Sequence, residues 1–213
     1  MKTPKNGQAK LFDSRFLEFL TKTHPLVIWG VYLPLLGFLL LLASKKYLGW
    51  QILLVFFGAM LFWTLFEYFA HRFLFHWVSD NFKFKKFVYI IHGNHHEYPR
   101  DKQRLFMPLL PSLVLSSTLF GVQFLFLGSW VFAFFPGFIF GYLLYASTHY
   151  AIHAWEPPFP FMRPLWRNHL MHHYHKEHLG FGVSNSFWDK VFSTGFDNEK
   201  FKEDPEKEKA LKF

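Results

Sequence analysis

The sequence predicts an all-α integral membrane protein. Four transmembrane helices in two hairpins should carry a helical cytoplasmic cap that holds a histidine-rich dimetal site. Three observations point there. Four stretches of 18 to 20 residues contain no charge, basic residues crowd into the segments on one side of them, and ten of the 13 histidines fall in four tight groups in those same segments. Apolar residues reach 51 % and aromatics 23 %, with 31 Phe against 18 % charged. A mean hydropathy of only +0.09 is low for a chain that is all membrane, so greasy spans must share the chain with a polar part.

The spans are 26–43, 49–66, 108–127 and 130–148. A hydrocarbon core of ~30 Å needs about 20 apolar residues at ~1.5 Å each, so all four are long enough, the first two barely. Lys45-Lys46-Tyr47-Leu48 links the first pair and Gly128-Ser129 the second, so each pair reads as a helical hairpin. Pro108, Pro111 and Pro136 leave the second hairpin open to kinks or to partial penetration. The first span has no short charged leader with a cleavage site, so a removable signal peptide is not expected. The organisation predicted is an N-terminal arm over 1–25, a membrane domain over 26–197 whose cap is 67–107 and 149–197, and a charged tail over 198–213.

Of 23 Lys and Arg residues, 21 lie in 1–25, 67–107 and 149–213, and so do all 13 histidines. The positive-inside rule makes that side cytoplasmic. The net charge of +8 then follows from topology and attraction to anionic headgroups. No module or basic recognition helix for nucleic acid is present. With no cysteine, disulfides, thiolate ligands and thiol nucleophiles are excluded.

The histidine groups are His71 and His76; His92, His95 and His96; His149 and His153; and His169, His172 and His173. Imidazole is the commonest side-chain metal ligand. On a helix, spacings of i, i+3 and i+4 keep side chains within about 100° of arc. His149 and His153 lie one turn apart, continuing the fourth span out of the membrane. His71 and His76 are i, i+5, about 140° apart on an ideal α-helix, so they either straddle two metals or mark an unwound helix end. Ten imidazoles supply two metal ions with five nitrogens each.

Other metal chemistries fail on spacing. A zinc protease needs H-E-x-x-H, but His96-Glu97-Tyr98-Pro99-Arg100 ends in Arg. A soluble di-iron bundle needs Glu-x-x-His, whereas Glu67 precedes His71 by four. Structural zinc sites use four ligands, usually with cysteine. An all-histidine dimetal site at a membrane surface remains, and open positions on redox-active iron there would permit oxygen activation. A metal transporter or store is the non-enzyme alternative, but transport calls for polar ligands near mid-bilayer, and the four spans contain no His, Asp, Glu, Lys or Arg.

In their order HX4H, HXXHH, HX3H, HXXHH these groups resemble the fatty acid hydroxylase and sterol desaturase superfamily. The flanks are most similar to the fatty acid 2-hydroxylase branch. They comprise His71-Arg72-Phe73-Leu74-Phe75-His76; His92-Gly93-Asn94-His95-His96 followed by Pro99, Asp101, Arg104-Leu105 and Met107-Pro108; and His169 to His173 followed by Leu179-Gly180-Phe181-Gly182-Val183 and Trp188-Asp189. The likeness covers roughly 60–197. It implies two iron ions, with zinc able to replace them in purified protein, and O2-dependent hydroxylation of a lipid acyl chain, at carbon 2 by the branch. Hydroxylation or desaturation of a sterol or carotenoid is the alternative on the same scaffold. The 25 residues before the first span are too few for the cytochrome b5 domain of many eukaryotic members. Electrons are therefore expected from a separate donor, such as cytochrome b5 or a ferredoxin with its reductase. A bacterial inner membrane is expected over the endoplasmic reticulum, since no Lys-Lys retrieval motif ends the chain.

Five further residues are candidates for supporting the metal site. Asp101 and Arg104 read as a structural ion pair or cap rather than a catalytic pair. Asp189 could accept a ligand imidazole's second N–H or simply pack. His175 and His178 add imidazoles beyond the family's usual set and read first as surface residues. His24, beside Pro25, reads as interfacial.

Overall fold

The computed structural model describes residues 5–196; the charged tail expected over 198–213 lies outside them. Every regular element among the described residues is helical. In order they are α1 (Arg15–Phe19), α2 (Pro25–Ser44), α3 (Gly49–Phe69), α4 (Phe82–Val88), α5 (Asn94–Glu97), α6 (Leu109–Leu127), α7 (Val131–Ala154), α8 (Arg163–Tyr174) and α9 (Phe187–Val191). Two π-helical segments interrupt the pattern: Ala70–Phe75 continues α3, and Tyr89–Gly93 joins α4 to α5. Within the described residues, one compact unit takes 5–11, 66–105 and 148–196, and a second takes 12–65 and 106–147. Of the arm expected over 1–25, residues 5–11 belong with the histidines and 12–25 with the long apolar helices.

The second unit is built from the long apolar helices. Pro25 sets φ for the first turn of α2, and His24 Nδ1 accepts the Leu26 N–H at 3.2 Å, so this histidine is a helix cap. Ile28, Tyr32, Leu36, Leu39 and Ala43 recur along one face of α2 and are buried. Tyr32 donates to Ser116 at 3.0 Å and shares a 2.7 Å hydrogen bond with Ser112, tying α2 to α6. Trp29 Nε1 donates to Ser147 of α7 at 3.0 Å. Gly137 and Gly141 stand i, i+4 on α7, where α3 crosses it. A Cβ at 137 would meet the Phe56 carbonyl oxygen and one at 141 the Trp63 Cβ, so this is small-residue packing that brings two backbones together.

Three stretches, Pro25–Ser44, Gly49–Phe75 and Leu109–Ala154, are long and apolar enough to cross a membrane. The last, 46 residues long, takes in the expected span 130–148 and, from Leu109 onward, the expected span 108–127. It is not one rod. The rings of Phe120 and Phe135 lie 5.1 Å apart, whereas a continuous helix would separate them by about 22 Å. The chain reverses at the 3-10 turn Gly128–Trp130, where Tyr47 stacks on Trp130 at 3.7 Å and bonds Ser129. Leu26, Phe38, Leu54, Leu61, Leu125 and Phe126 are each more than half exposed. An apolar exterior on this scale suits lipid and would aggregate in water.

The first unit is a set of short helices closed by polar bonds. Asn81 caps α4 by accepting from Lys83 and Phe84. The arm is strapped to the α5 region: Lys5 N–H reaches the Glu97 carbonyl at 2.7 Å, and Ala9 N–H reaches Asp101 Oδ2 at 3.1 Å. Asp101 also binds Arg104 at 2.6 Å, and both side chains are buried. Asp101 thus holds arm and loop together, which the sequence pattern did not disclose.

Candidate metal centre

Each histidine group sits where a helix ends or changes its winding. The α3 helix passes into a π turn at Ala70, and His76 N–H bonds the His71 carbonyl at 3.3 Å, an i→i+5 bond. That winding places His71 and His76 on one face, with ring centroids 5.1 Å apart. The i, i+5 spacing therefore belongs to one ion-sized site and is not a straddle between two. The second π segment carries His92, and α5 follows with His95 and His96. His149 and His153 lie on the last turns of α7, and His169, His172 and His173 on α8.

The imidazoles separate into two groups of five. His71, His76, His92, His96 and His172 form one, and His95, His149, His153, His169 and His173 form the other; within each, the donor nitrogens lie within 4.8 Å of one another. The partition explains the spacing H-x-x-H-H. In each such motif the i, i+4 pair serves one group and the histidine between serves the other. His92 and His96 join group one while His95 joins group two; His169 and His173 join group two while His172 joins group one. The i, i+5 pair completes group one and the i, i+4 pair of α7 completes group two. The groups adjoin, His96 stacking on His173 at 4.2 Å.

The donor set fits metal ions. In group one, Nε2 to Nε2 distances are 3.1 Å for His71 and His92, 3.0 Å for His92 and His96, and 2.9 Å for His76 and His172. In group two they are 2.8 Å for His95 and His149, 2.9 Å for His153 and His169, and 3.1 Å for His169 and His173. Nitrogens at ~2.1 Å from a common ion and at right angles to each other stand about 3.0 Å apart. His71 Nδ1 lies 2.6 Å from the Phe181 carbonyl and His172 Nδ1 2.7 Å from that of Leu179. A carbonyl only accepts, so Nδ1 carries the proton and Nε2 keeps its lone pair for the metal. Burial, helped by neighbouring imidazoles, pushes His92, His95, His169, His172 and His173 well below the ordinary histidine range, and His96 down to about 3. The rings are neutral, as ligation requires.

Of the supporting candidates, Asp101 and Arg104 make the ion pair described above. Asp189 is buried and bonds, among the described residues, the backbone of Phe181 and Gly182 and the side chains of Asn168 and Thr194. It does not take an imidazole N–H; it holds the loop whose carbonyl does. His175 and His178 belong to neither group of five, and His178 is exposed. Glu67 escaped sequence reading. It is buried and accepts from Val183 and Ser184; the available signal was a lone acid closing an otherwise uncharged span. Glu97 also escaped it, and takes Lys5 and Tyr89 on its two oxygens. A cavity of about 250 Å³ opens onto His76, His92 and His96 and reaches His173.

Residues 55–194 match the family model described as fatty acid hydroxylase. The chain belongs to that family. It is 36 % identical over 187 residues to a dihydroceramide fatty acyl 2-hydroxylase of Arabidopsis thaliana, covering 87 % of this chain and 79 % of that one. It is 40 % identical over 192 residues to a ceramide very long chain fatty acid hydroxylase of Saccharomyces cerevisiae, covering 88 % of this chain and half of the yeast protein's length. The human fatty acid 2-hydroxylase matches at 37 % over 139 residues, 62 % of this chain and 37 % of that one. The solved structure of full-length scs7p, in which only the hydroxylase domain is visible, matches with a TM-score of 0.83 and 38 % identity over 90 % of this chain and 73 % of that one. These relatives come from a plant, a yeast and a mammal, so the expected bacterial inner membrane finds no support among them.

Proposed function

We propose that this chain hydroxylates carbon 2 of a fatty acyl chain, free or within a sphingolipid, using O2, two iron ions and electrons from a separate donor protein. The observation that carries this reading is the pair of five-imidazole groups. Iron bound there would supply dioxygen activation, so that a C–H bond becomes C–OH while the second oxygen atom leaves as water with two electrons and two protons. The named relatives act on fatty acids or ceramides, which favours an acyl chain over a sterol or carotenoid.

The chain's own residues have three tasks. His71 and His172 are turned by backbone carbonyls so that Nε2 faces its group. Burial keeps the remaining imidazoles neutral. Phe75, Trp77 and Val88 give the cavity beside group one an apolar wall for an acyl chain, and Tyr89 and Glu177 give it a polar one. We further assign four membrane crossings, one each for α2, α3, α6 and α7, with the histidines on the cytoplasmic side, because the α6–α7 stretch folds back on itself and the basic residues lie on one side.

Expression in a host that makes no hydroxy fatty acids, with a competent reductase, tests the activity. Total lipids should gain 2-hydroxy acyl chains, and the His172→Ala chain should add none. An iron-loaded protein that leaves the lipids unchanged would overturn the 2-hydroxylase reading.

A further inference from the structure

One segment, Leu179 to Ser184, supplies both carbonyls that orient imidazoles of group one: Phe181 to His71 and Leu179 to His172. In group two His149 bonds the backbone of Leu105, while the buried Nδ1 atoms of His169 and His173, like that of His96 in group one, have no hydrogen-bond partner among the described residues. The orienting segment is not part of any helix. Gly180 adopts φ +71°, and a Cβ at Gly182 would collide with the Asn185 carbonyl oxygen and press on Asp189. Its conformation has to be imposed from outside.

Two buried carboxylates impose it. Glu67 Oε1 accepts the N–H groups of Val183 and Ser184 at 2.8 and 2.9 Å, and Oε2 accepts the Ser184 hydroxyl. Asp189 Oδ1 accepts the Phe181 N–H and the Thr194 hydroxyl, and Oδ2 accepts the Gly182 N–H and Asn168 Nδ2. Thr194 closes the loop again, its carbonyl taking the Gly180 N–H at 2.8 Å. Four consecutive backbone N–H groups, 181 to 184, are thus claimed by two carboxylates, which leaves the carbonyls at 179 and 181 facing the metal centre.

We propose that Glu67 and Asp189 are positioning residues which, through the 179–184 segment, set how tightly group one holds its metal and leave group two unaffected. The inference rests on the metal reading above. It also predicts an unequal response to conservative change. Asp189 faces a backbone N–H with each oxygen, so in Asp189→Asn one N–H must oppose an NH2 whichever way the amide turns. Glu67 gives both of its backbone bonds to one oxygen and meets a hydroxyl, which can also accept, with the other. Glu67→Gln therefore keeps both backbone bonds and reverses the one to the Ser184 hydroxyl, which then accepts from the amide NH2.

The test is zinc release to a colorimetric chelator from purified, zinc-loaded full chain in detergent. Wild type should release two equivalents. In Glu67→Ala and Asp189→Asn, one equivalent should leave about 10–100-fold faster, the range for losing support behind a ligand, while the other keeps its rate. Glu67→Gln should stay within about threefold of wild type. Built on His149→Ala, which cripples group two, Glu67→Ala should speed the slower remaining equivalent; built on His76→Ala, it should not. Equal acceleration of both equivalents, or a Glu67→Gln chain as fast as Asp189→Asn, marks a merely structural role and overturns the inference. Two equivalents released at wild-type rates from every variant also overturn it, while leaving the metal reading standing. A wild type that takes up no metal overturns both.

Discussion

His172 joins the two halves of group one: its Nε2 lies 2.9 Å from that of His76 while its Nδ1 bonds the Leu179 carbonyl. In His172→Ala the carbonyl loses its donor and group one falls to four nitrogens. Metal per protein should drop from two toward one by elemental analysis, with hydroxylation lost. His178→Ala should change neither quantity, since that ring is exposed and outside both groups. Removing all metal leaves ten neutral imidazoles buried together without a cation. A ligand at 100 times its dissociation constant stabilises the folded state by about 2.7 kcal/mol. Chelator treatment should therefore lower the thermal midpoint in detergent by several degrees, and added metal should restore it. At this scale the sequence was highly legible: the ten histidines that gather into the two groups could all be named from their spacing, because i, i+3 and i+4 contacts are local. Glu67 and Glu97 were not, since a carboxylate's partners 92 to 117 positions away leave no periodic trace.

Helix contacts hold the second unit together. The α3–α7 crossing relies on Gly137 and Gly141, where a Cβ would press on the Phe56 backbone and on Trp63. Gly137→Ala should cost about 1–3 kcal/mol through overpacking, read as a lower melting midpoint in detergent. Gly58→Ala on α3, with nothing within 4 Å of its Cβ, should be neutral or stabilising, because Ala is the better helix former by about 1 kcal/mol. Opposite signs for two Gly→Ala changes in one membrane protein separate close approach from propensity; equal losses would sink the crossing argument. Long apolar helices were legible from length and composition, yet the π winding was not. An i, i+5 pair reads on a regular helix as two faces about 140° apart, and only the observed i→i+5 bond puts His71 and His76 on one.

For the molecule as a whole, the absence of cysteine makes topology testable directly. Single cysteines at Lys46 and Lys102 in oriented vesicles should react with an impermeant thiol reagent from opposite sides; labelling from the same side would remove the four-crossing assignment. By itself, the sequence determined which residues can ligate metal, which stretches are apolar enough for a bilayer, and the class of chemistry that ten imidazoles without thiolates favour. All of these depend on residue identity and local spacing. Only the tertiary structure decided how the histidines divide into two fives, that each HXXHH motif serves both groups, and which carbonyls fix the ring orientations in group one. Those outcomes depend on contacts such as His71 with Phe181 and His76 with His172, between segments far apart in the chain. Local spacing sets the face on which a histidine stands, but the helix packed against that face chooses its partners.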